Sequence, residues 1–231
     1  MTVRVGVVVF PGTNCELDVV WAVEALGAEA ELLWHGDRTV RGVDAVVVPG
    51  GFAHGDYLRT GAIARFSPVM DAVADHAAAG GAVVGICNGF QVLTEAGLLP
   101  GALQKNAGLA FICDTVEVEV VSTRSVLTRR AEVGAVLRIP INHFEGNYVC
   151  DTDTLRALHD DDRIVVRYVD NPNGSLDDIA GISNEAGNVV GLMPHPERAS
   201  DPLLGSADGA VLLESLLASA RLTTRARSRP S

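Results

Sequence analysis

A cysteine at position 87 lies in a sequence context that activates thiols as nucleophiles. The segment Gly85-Ile86-Cys87-Asn88-Gly89 follows a short apolar run, and this is the pattern of a nucleophile elbow with Cys in place of Ser. In such an elbow the nucleophile occupies a strained turn between strand and helix, and the helix N-terminus favours the thiolate. The backbone N–H of Asn88 is then placed to bind an oxyanion. The alternative is a small cysteine packed between strand and helix.

A nucleophilic cysteine needs a base, and His195 in the segment Met193-Pro194-His195-Pro196-Glu197 is the candidate. The segment directly follows an apolar strand candidate, so we expect His195 at the carboxyl end of that strand, where open α/β sheets bind ligands. The two prolines hold the segment extended, so Glu197 can orient the His195 ring and stabilise its imidazolium form. Alone, this motif is equally typical of a surface loop. Together with the elbow it predicts a Cys-His-Glu triad.

A third segment, Pro49-Gly50-Gly51-Phe52, follows another strand candidate. Two glycines at the carboxyl end of a strand expose backbone N–H groups to a ligand. The N–H of Gly51 therefore becomes a candidate for the second half of an oxyanion hole beside Asn88. The simpler alternative is an ordinary turn.

Strands and helices alternate in the first half of the chain, which is typical of a parallel sheet. Strand candidates occupy residues 3–10, 29–34, 45–48 and 82–85, and helix candidates occupy residues 13–26, 62–79 and 90–96. The first helix has Thr13 or Asn14 as its predicted cap. We therefore expect a sheet that is mostly parallel, with helices on both faces.

The second half of the chain contains closely spaced strand candidates, at residues 115–121, 136–141, 164–168, 179–183 and 189–193, and a last helix at about 207–220. Such spacing favours hairpins over further crossovers. The predicted fold class is α/β, a mostly parallel central sheet flanked by helices, with additional antiparallel strands in the second half. We expect one domain over residues 1–222 and a disordered tail over 223–231.

Composition excludes several classes of function. The net charge of −11 makes the chain a poor ligand for the phosphates of nucleic acids. No apolar run reaches the roughly 20 residues of a membrane helix, and the apolar N-terminus has the length of a strand and lacks a cleavage site. The four cysteines show no CxxC and no zinc-binding spacing. We therefore predict a cytoplasmic protein with no metal site.

The three site motifs, PGGF at 49–52, GICNGFQ at 85–91 and MPHPE at 193–197, together resemble the class I (triad) glutamine amidotransferases. Four further segments resemble one branch of that class, the PurQ subunit of phosphoribosylformylglycinamidine synthase. They are PGTNC at 11–15, GDYLR at 55–59, TEAGLLPG at 94–101 and NPNGS at 171–175. The resemblance covers nearly the whole chain and implies a flavodoxin-like amidotransferase fold.

The resemblance also implies roles for individual residues. Cys87 attacks the side-chain amide of glutamine and forms a γ-glutamyl thioester, His195 moves the protons, and Glu197 holds His195. The N–H groups of Gly51 and Asn88 stabilise the oxyanion. Gln91, one helical turn beyond Cys87, matches a residue that contacts the α-amino acid end of glutamine. A polar residue without a role is the alternative for Gln91.

Forming an amidine with glutamine nitrogen requires ATP, yet the chain has no GxxxxGK[ST] loop. The resemblance therefore implies that this chain binds no cofactor and that ATP and Mg²⁺ bind a large synthetase subunit, PurL. A small PurS subunit and a protected ammonia channel are implied as well. Alternatives are a glutaminase serving another synthetase, a cysteine-elbow hydrolase or deglycase of similar fold, and a binding subunit that has lost its chemistry.

Four residues depart from the family pattern or lack a clear role. Asn142 and Phe144 stand where relatives usually carry a small residue and glycine, in a loop that lies beside the substrate in related amidotransferases. His54 stands where relatives often have an aromatic residue. These departures are expected to affect the geometry of the substrate and to leave the chemistry intact. For Cys15, at the start of the first helix, a structural role is favoured because the sequence places no base near it.

Overall fold

The computed structural model describes residues 2–227. Over this range the strands are β1 (Arg4–Val9), β2 (Glu29–Trp34), β3 (Ala45–Val48), β4 (Ala82–Ile86), β5 (Ala102–Gln104), β6 (Ile112–Val120), β7 (Val136–His143), β8 (Asn147–Val149), β9 (Ile164–Tyr168), β10 (Ile179–Ser183) and β11 (Val189–Leu192). The α-helices are α1 (Glu16–Ala25), α2 (Pro68–Ala78), α3 (Asn88–Glu95), α4 (Thr152–Asp160) and α5 (Ala210–Arg227).

One mixed sheet organises the molecule, with the strand order β2-β1-β3-β4-β11-β10-β9-β6-β7. The strands from β2 to β11 in that order are parallel, and the pairs beyond β11 are antiparallel. Strands β3, β4 and β11 are buried along their whole length, as their runs of valine predict for strands covered on both faces. The predicted fold class is confirmed.

Helices cover both faces of the parallel part of the sheet. Helix α1 packs on β1 and β2, and α5 packs on β3 and β4 and touches α1. Helices α2 and α3 also pack on β4. Strand β4 is contacted by α5 and also by α2 and α3, and it is buried along its whole length. It is therefore covered by helices on both faces of the sheet, as right-handed crossovers on a parallel sheet require.

Two predicted helix starts are wrong for local reasons. The helix predicted from residue 62 begins only at Pro68, because the residue before a proline disfavours helical angles, and Ser67 is extended at φ −67° and ψ 137°. Helix α1 has Cys15 as its N-cap, without a side-chain hydrogen bond, in place of the predicted Thr13 or Asn14.

Helix α4 was not predicted from the sequence, although Asp151 caps it by accepting a hydrogen bond from the N–H of Thr154.

The last helix is longer than predicted. Helix α5 continues to Arg227, since no glycine or proline follows the predicted end at about residue 220 until position 230. Helix α5 thus extends into the range 223–231 of the predicted tail, and residues 228–231 of that range lie outside the described residues, so the disorder of the tail stays a prediction. Among the helices of residues 2–227, none combines the length and the apolar character that crossing a membrane requires.

Candidate active site

The three sequence motifs meet because they follow three neighbouring parallel strands. In the sheet Val48 of β3 pairs with Gly85 of β4, and Gly85 pairs with Gly191 of β11. The segments after these strands therefore emerge at the same edge of the sheet. The PGGF turn, the elbow and the His-Pro-Glu segment lie together there, as the parallel order requires.

The elbow holds Cys87 in a strained conformation. Cys87 has φ 52° and ψ −107° and is the N-cap of α3. This is a region that residues with a Cβ rarely occupy, and such strain clusters at functional sites. Glycine is required at position 89, because a Cβ there would lie 1.8 Å from the carbonyl oxygen of Val48. The elbow thus brings the helix start directly against β3 and leaves the thiol at the sheet edge.

His195 and Glu197 form a buried pair. Nδ1 of His195 lies 2.6 Å from Oε1 of Glu197, and the two side chains are 1% and 0% exposed. Burial alone disfavours the imidazolium, but the carboxylate of Glu197 and then the sulfur of Cys87 outweigh it, so the pKa of His195 lies well above its ordinary value. The backbone N–H of His195 donates to the carbonyl of Pro140, which fixes the segment against β7.

Gly50 lets His195 and Cys87 converge. A Cβ at position 50 would lie 2.7 Å from Cε1 of His195 and 3.5 Å from Cβ of Cys87. Both side chains therefore flank the same stretch of backbone, and any larger residue at this position pushes His195 away. Within residues 2–227, no hydrogen-bond partner is present for Nε2 of His195, which is the ring atom free for proton transfer.

Asn88 joins the PGGF turn to the elbow. Its Oδ1 accepts a hydrogen bond from the N–H of Ala53 at 3.0 Å, and its Nδ2 donates to Oε1 of Gln91 at 2.8 Å. Gln91 in turn donates from Nε2 to the carbonyl of Glu145. The side chain of Asn88 thus fixes the spacing between the turn of Gly51 and the elbow, the two predicted halves of the oxyanion hole.

A cavity of about 240 Å³ opens at Cys87. Its lining comprises Gly51, Phe52, Asp56, Thr60, Cys87, Gln91, Asn142, His143, Phe144 and Glu145. Gly51 and Gln91 thus border the same cavity as Cys87, although the side chain of Gln91 is already bonded to Asn88 and Glu145. Its contact with the amino-acid end of the substrate stays a prediction.

The loop after β7 forms one side of the cavity. The thiol of Cys87 donates to the carbonyl of Asn142 at 3.6 Å, so the backbone at this position meets the nucleophile. Phe144 also lines the cavity, and Nζ of Lys105 lies 5.8 Å from the centre of its ring. Both departures from the family pattern therefore adjoin the substrate space. His54 lies outside the lining, with φ 55° and an edge contact to His35.

Cys15 lies next to the predicted triad, and the sequence had not indicated this contact. Its Sγ, a ring nitrogen of His195 and a carboxylate oxygen of Glu197 all lie within 4.8 Å of one another. Arg198 donates to Sγ of Cys15 at 3.2 Å and to Asp18 at 2.9 Å. The sequence held no signal for this contact, because only the parallel pairing of the sheet brings the β1–α1 loop to the His-Pro-Glu segment.

The arrangement is suited to nucleophilic attack by a thiolate. Cys87 supplies the sulfur, His195 carries a proton whose loss Glu197 opposes, and Gly51 of the PGGF turn borders the cavity, whereas Asn88 is outside its lining. An electrophilic carbon at Cys87 would have an acid–base pair beside it, and the N–H groups of Gly51 and Asn88 stay the predicted oxyanion donors. These are the parts of an acyl-transfer site.

The strain at Cys87 predicts an unusual order of stability. Cys87→Gly removes the Cβ that makes φ 52° and ψ −107° costly, whereas Cys87→Ala keeps it. After subtracting the greater flexibility of glycine in the unfolded chain, we expect Cys87→Gly to be more stable than Cys87→Ala by about 1 kcal/mol. Urea denaturation of both variants measures the difference. A glycine variant that is less stable than the alanine variant would refute strain at the elbow.

Comparison with known proteins agrees with this geometry. The model of the CobB/CobQ-like glutamine amidotransferase domain matches residues 2–207. A Parasynechococcus marenigrum protein named phosphoribosylformylglycinamidine synthase subunit PurQ is 56% identical over 214 residues, which are 92% of this chain and 99% of the relative. The protein of the same name from Rubrobacter xylanophilus is 56% identical over 219 residues, 95% of this chain and 100% of the relative.

A solved structure extends the likeness to three dimensions. A chain in the structure of PurLQS from Thermotoga maritima superposes with a TM-score of 0.87 at 42% sequence identity, covering 94% of this chain and 99% of that chain. The range of this chain that the family model matches contains all three motifs of the site, and the relatives and the solved structure each match more than nine tenths of the chain. The chain therefore belongs to the PurQ family of glutamine amidotransferases.

Proposed function

We propose that the chain is the glutaminase subunit of a phosphoribosylformylglycinamidine synthase. It hydrolyses glutamine to glutamate and ammonia and passes the ammonia to a synthetase subunit, which uses ATP to convert formylglycinamide ribonucleotide to formylglycinamidine ribonucleotide in purine biosynthesis. The observation that carries the proposal is the buried His195–Glu197 pair beside the strained Cys87 elbow, in a chain 56% identical to proteins named PurQ.

The site residues perform the hydrolysis in two halves. The thiolate of Cys87 attacks the amide carbon of glutamine, and the oxyanion is stabilised by the N–H groups of Gly51 and Asn88. The imidazolium of His195 gives its proton to the leaving nitrogen, so ammonia departs and a γ-glutamyl thioester remains. His195 then takes a proton from water, and the hydroxide attacks the carbonyl carbon of the thioester. The C–S bond breaks and glutamate leaves, which returns Cys87 as a thiolate beside protonated His195.

Glu197 acts on the charge of His195. The proton shuttled by His195 must be held while the thiolate forms and released when ammonia leaves. Glu197 stabilises the imidazolium through the 2.6 Å contact and fixes the ring so that Nε2 is the atom that exchanges protons. Gln91 completes the site by holding the loop of Glu145 against the elbow.

The partners follow from the chemistry of the whole reaction. Because the sequence has no phosphate-binding loop, we assign ATP and Mg²⁺ to a large subunit of the PurL kind and include a small PurS subunit, as the name PurLQS of the Thermotoga maritima structure suggests. A cytoplasmic location accords with a role in nucleotide synthesis and with thiols that are free in the described residues.

Glutamate release from glutamine tests the proposal. We expect weak release by the chain alone and a strong rise when the large subunit, the small subunit, ATP and formylglycinamide ribonucleotide are present, because partner docking completes the site. A coupled glutamate dehydrogenase assay measures both rates. If no glutamate is released under either condition, the assignment to this pathway is wrong. If a different synthetase activates glutamate release, the chain serves the pathway of that synthetase.

A further inference from the structure

The cavity at Cys87 is lined by two acidic side chains and by no described side chain with a permanent positive charge. Asp56 and Glu145 both border it, and none of its described lining residues is Lys or Arg. Burial first and the charge of Glu145 second raise the pKa of Asp56 to about 6, so the two carboxylates repel each other across a partly dehydrated space. A ligand that brings positive charge to this wall relieves the repulsion.

A buried histidine in the same cavity also presents an acceptor. Asn106 donates from Nδ2 to the carbonyls of Ala110 and His143 at 2.9 and 3.0 Å, so its Oδ1 faces Nδ1 of His143 at 3.1 Å and the N–H of Gly146 at 3.0 Å. Nδ1 of His143 therefore carries the hydrogen, and Nε2 is an acceptor.

Among the described residues this acceptor has no partner. His143 is 3% exposed, and no residue in the range 2–227 offers a hydrogen bond to its Nε2. Burial first and the charge of His195 second lower the pKa of His143 to about 4, so the ring is neutral at pH 7. The described lining of the cavity thus holds two carboxylates and a neutral imidazole and no positively charged side chain, which favours a cationic ligand.

We infer that Asp56, with Glu145 beside it, is the specificity residue that binds the α-ammonium group of the glutamine substrate. The inference rests on the proposed function, since glutamine offers one cationic group and its reacting amide is neutral. A charged hydrogen bond between ammonium and carboxylate in a partly dehydrated cavity is strong enough to discriminate between substrates. The α-carboxylate is repelled by the same wall and faces the opening.

Asp56 is fixed relative to the nucleophile. Its Oδ1 accepts a hydrogen bond from Nδ2 of Asn88 at 3.2 Å, and Asn88 directly follows Cys87 in the elbow. Its backbone has φ 52°, in the left-handed region, so the loop adopts a costly conformation to place the carboxylate there. Because the distance between the carboxylate of Asp56 and the sulfur of Cys87 is fixed, free asparagine is also excluded as a substrate, since its side chain is one methylene shorter than that of glutamine.

The test compares L-glutamine with glutaramate, which has the same amide and lacks the α-ammonium group. In the complete synthase complex we expect Asp56→Asn to reduce the ratio of kcat/KM for glutamine over glutaramate by roughly 10- to 100-fold, mostly through KM for glutamine. Glu145→Gln should reduce it less. Asp75→Asn, an exposed acid on α2, is the matched control and should leave the ratio unchanged.

The pH dependence gives a second readout. The groups facing Asp56 in the cavity are Glu145 and, further along the lining, Cys87 and His143. The preference of the wild type for glutamine should fall as the pH drops through about 6, where Asp56 takes up a proton, and the preference of Asp56→Asn should stay flat over that range.

The same variant should be more stable than the wild type. Because the pKa of Asp56 is raised from 3.8 to about 6 in the folded state, its ionisation opposes folding above that pH and has no effect well below 3.8. Asp56→Asn should therefore raise the free energy of unfolding at pH 7.5 and not at pH 3. This check also establishes that the variant is folded.

Two outcomes would overturn the inference. Equal losses of kcat/KM for glutamine and glutaramate in folded Asp56→Asn would make Asp56 a residue that only supports the loop. An unchanged ratio in both Asp56→Asn and Glu145→Gln would remove the acids from substrate recognition altogether. A wild-type complex that releases no glutamate is a separate result, which would contradict the proposed function itself.

Discussion

Cys87→Ala in the assembled synthase is expected to abolish synthesis from glutamine and to preserve synthesis from free ammonia. The sulfur of Cys87 is the nucleophile at the cavity, and no other cysteine borders that space among the described lining residues. Loss of a covalent nucleophile lowers glutamine turnover by roughly 10⁴-fold or more. Synthetase chemistry with ammonia does not need the thiol. Product formation with each nitrogen source, at saturating ATP, measures the separation.

Cys113→Ala is the control for this experiment, since Cys113 is an exposed thiol on β6. It should retain both activities. A glutamine-analogue electrophile should label the wild type and Cys113→Ala and spare Cys87→Ala. Loss of ammonia-dependent synthesis in a folded Cys87→Ala complex would count against a subunit that only supplies ammonia.

Glu197→Gln is expected to lower kcat for glutamine hydrolysis by about 10²- to 10⁴-fold while the protein stays folded. The substitution keeps the shape of the side chain and removes the charge that most strongly raises the pKa of His195. With that charge gone, burial dominates and the pKa of His195 falls. The imidazolium that protonates the leaving ammonia is then lost at lower pH, and the amide that replaces the carboxylate can hold the ring in the wrong tautomer.

A pH profile of glutamate release separates this effect from simple damage. The alkaline limb of kcat should move to lower pH in Glu197→Gln, because deprotonation of His195 then begins earlier. Glu185→Gln serves as the control, since Glu185 is an exposed residue in the turn between β10 and β11, at the end of β11 remote from His195. An unshifted profile in Glu197→Gln would mean that Glu197 does not act on the charge of His195.

The burial of His195 and Glu197 explains why activity is so sensitive to a substitution at either position. His195 and Glu197 are almost fully buried, and the segment that carries them is tied to β7 through Pro140. Neither side chain can escape to solvent when its partner changes, so an uncompensated group stays buried. The nearby contact of Arg198 with Cys15 and Asp18 adds a fixed positive charge behind the pair.

The sequence by itself determined that three motifs follow three buried strands of a mostly parallel sheet. Valine runs that end in Gly or Pro predict buried parallel strands, and the carboxyl ends of such strands lie at one edge. The elbow, the PGGF turn and the His-Pro-Glu segment were therefore expected at that edge, whereas the pairing of β4 with both β3 and β11, which makes them neighbours, was decided by the tertiary structure. Local patterns also determined β2, β3, β9 and β10 to the residue.

Local sequence patterns gave wrong helix bounds, or missed a helix, where a proline, a capping hydrogen bond or the lack of a stop signal decided the outcome. Pro68 ended the helical potential of residues 62–67, and α5 ran on to Arg227 because nothing stopped it. Helix α4 has only a short amphipathic pattern, so the cap at Asp151 was its main signal. These errors leave the site unaffected, since none of them lies on the strands that carry it.

Only the tertiary structure decided what surrounds the nucleophile. Asp56 comes from the loop after β3, Glu145 and His143 come from the end of β7, and Cys15 comes from the loop after β1. Contacts between loops depend on backbone turns and hydrogen bonds across long separations in sequence, and no periodicity encodes them. The chemistry of the site was therefore readable from its strands, and the charge that selects the substrate was not.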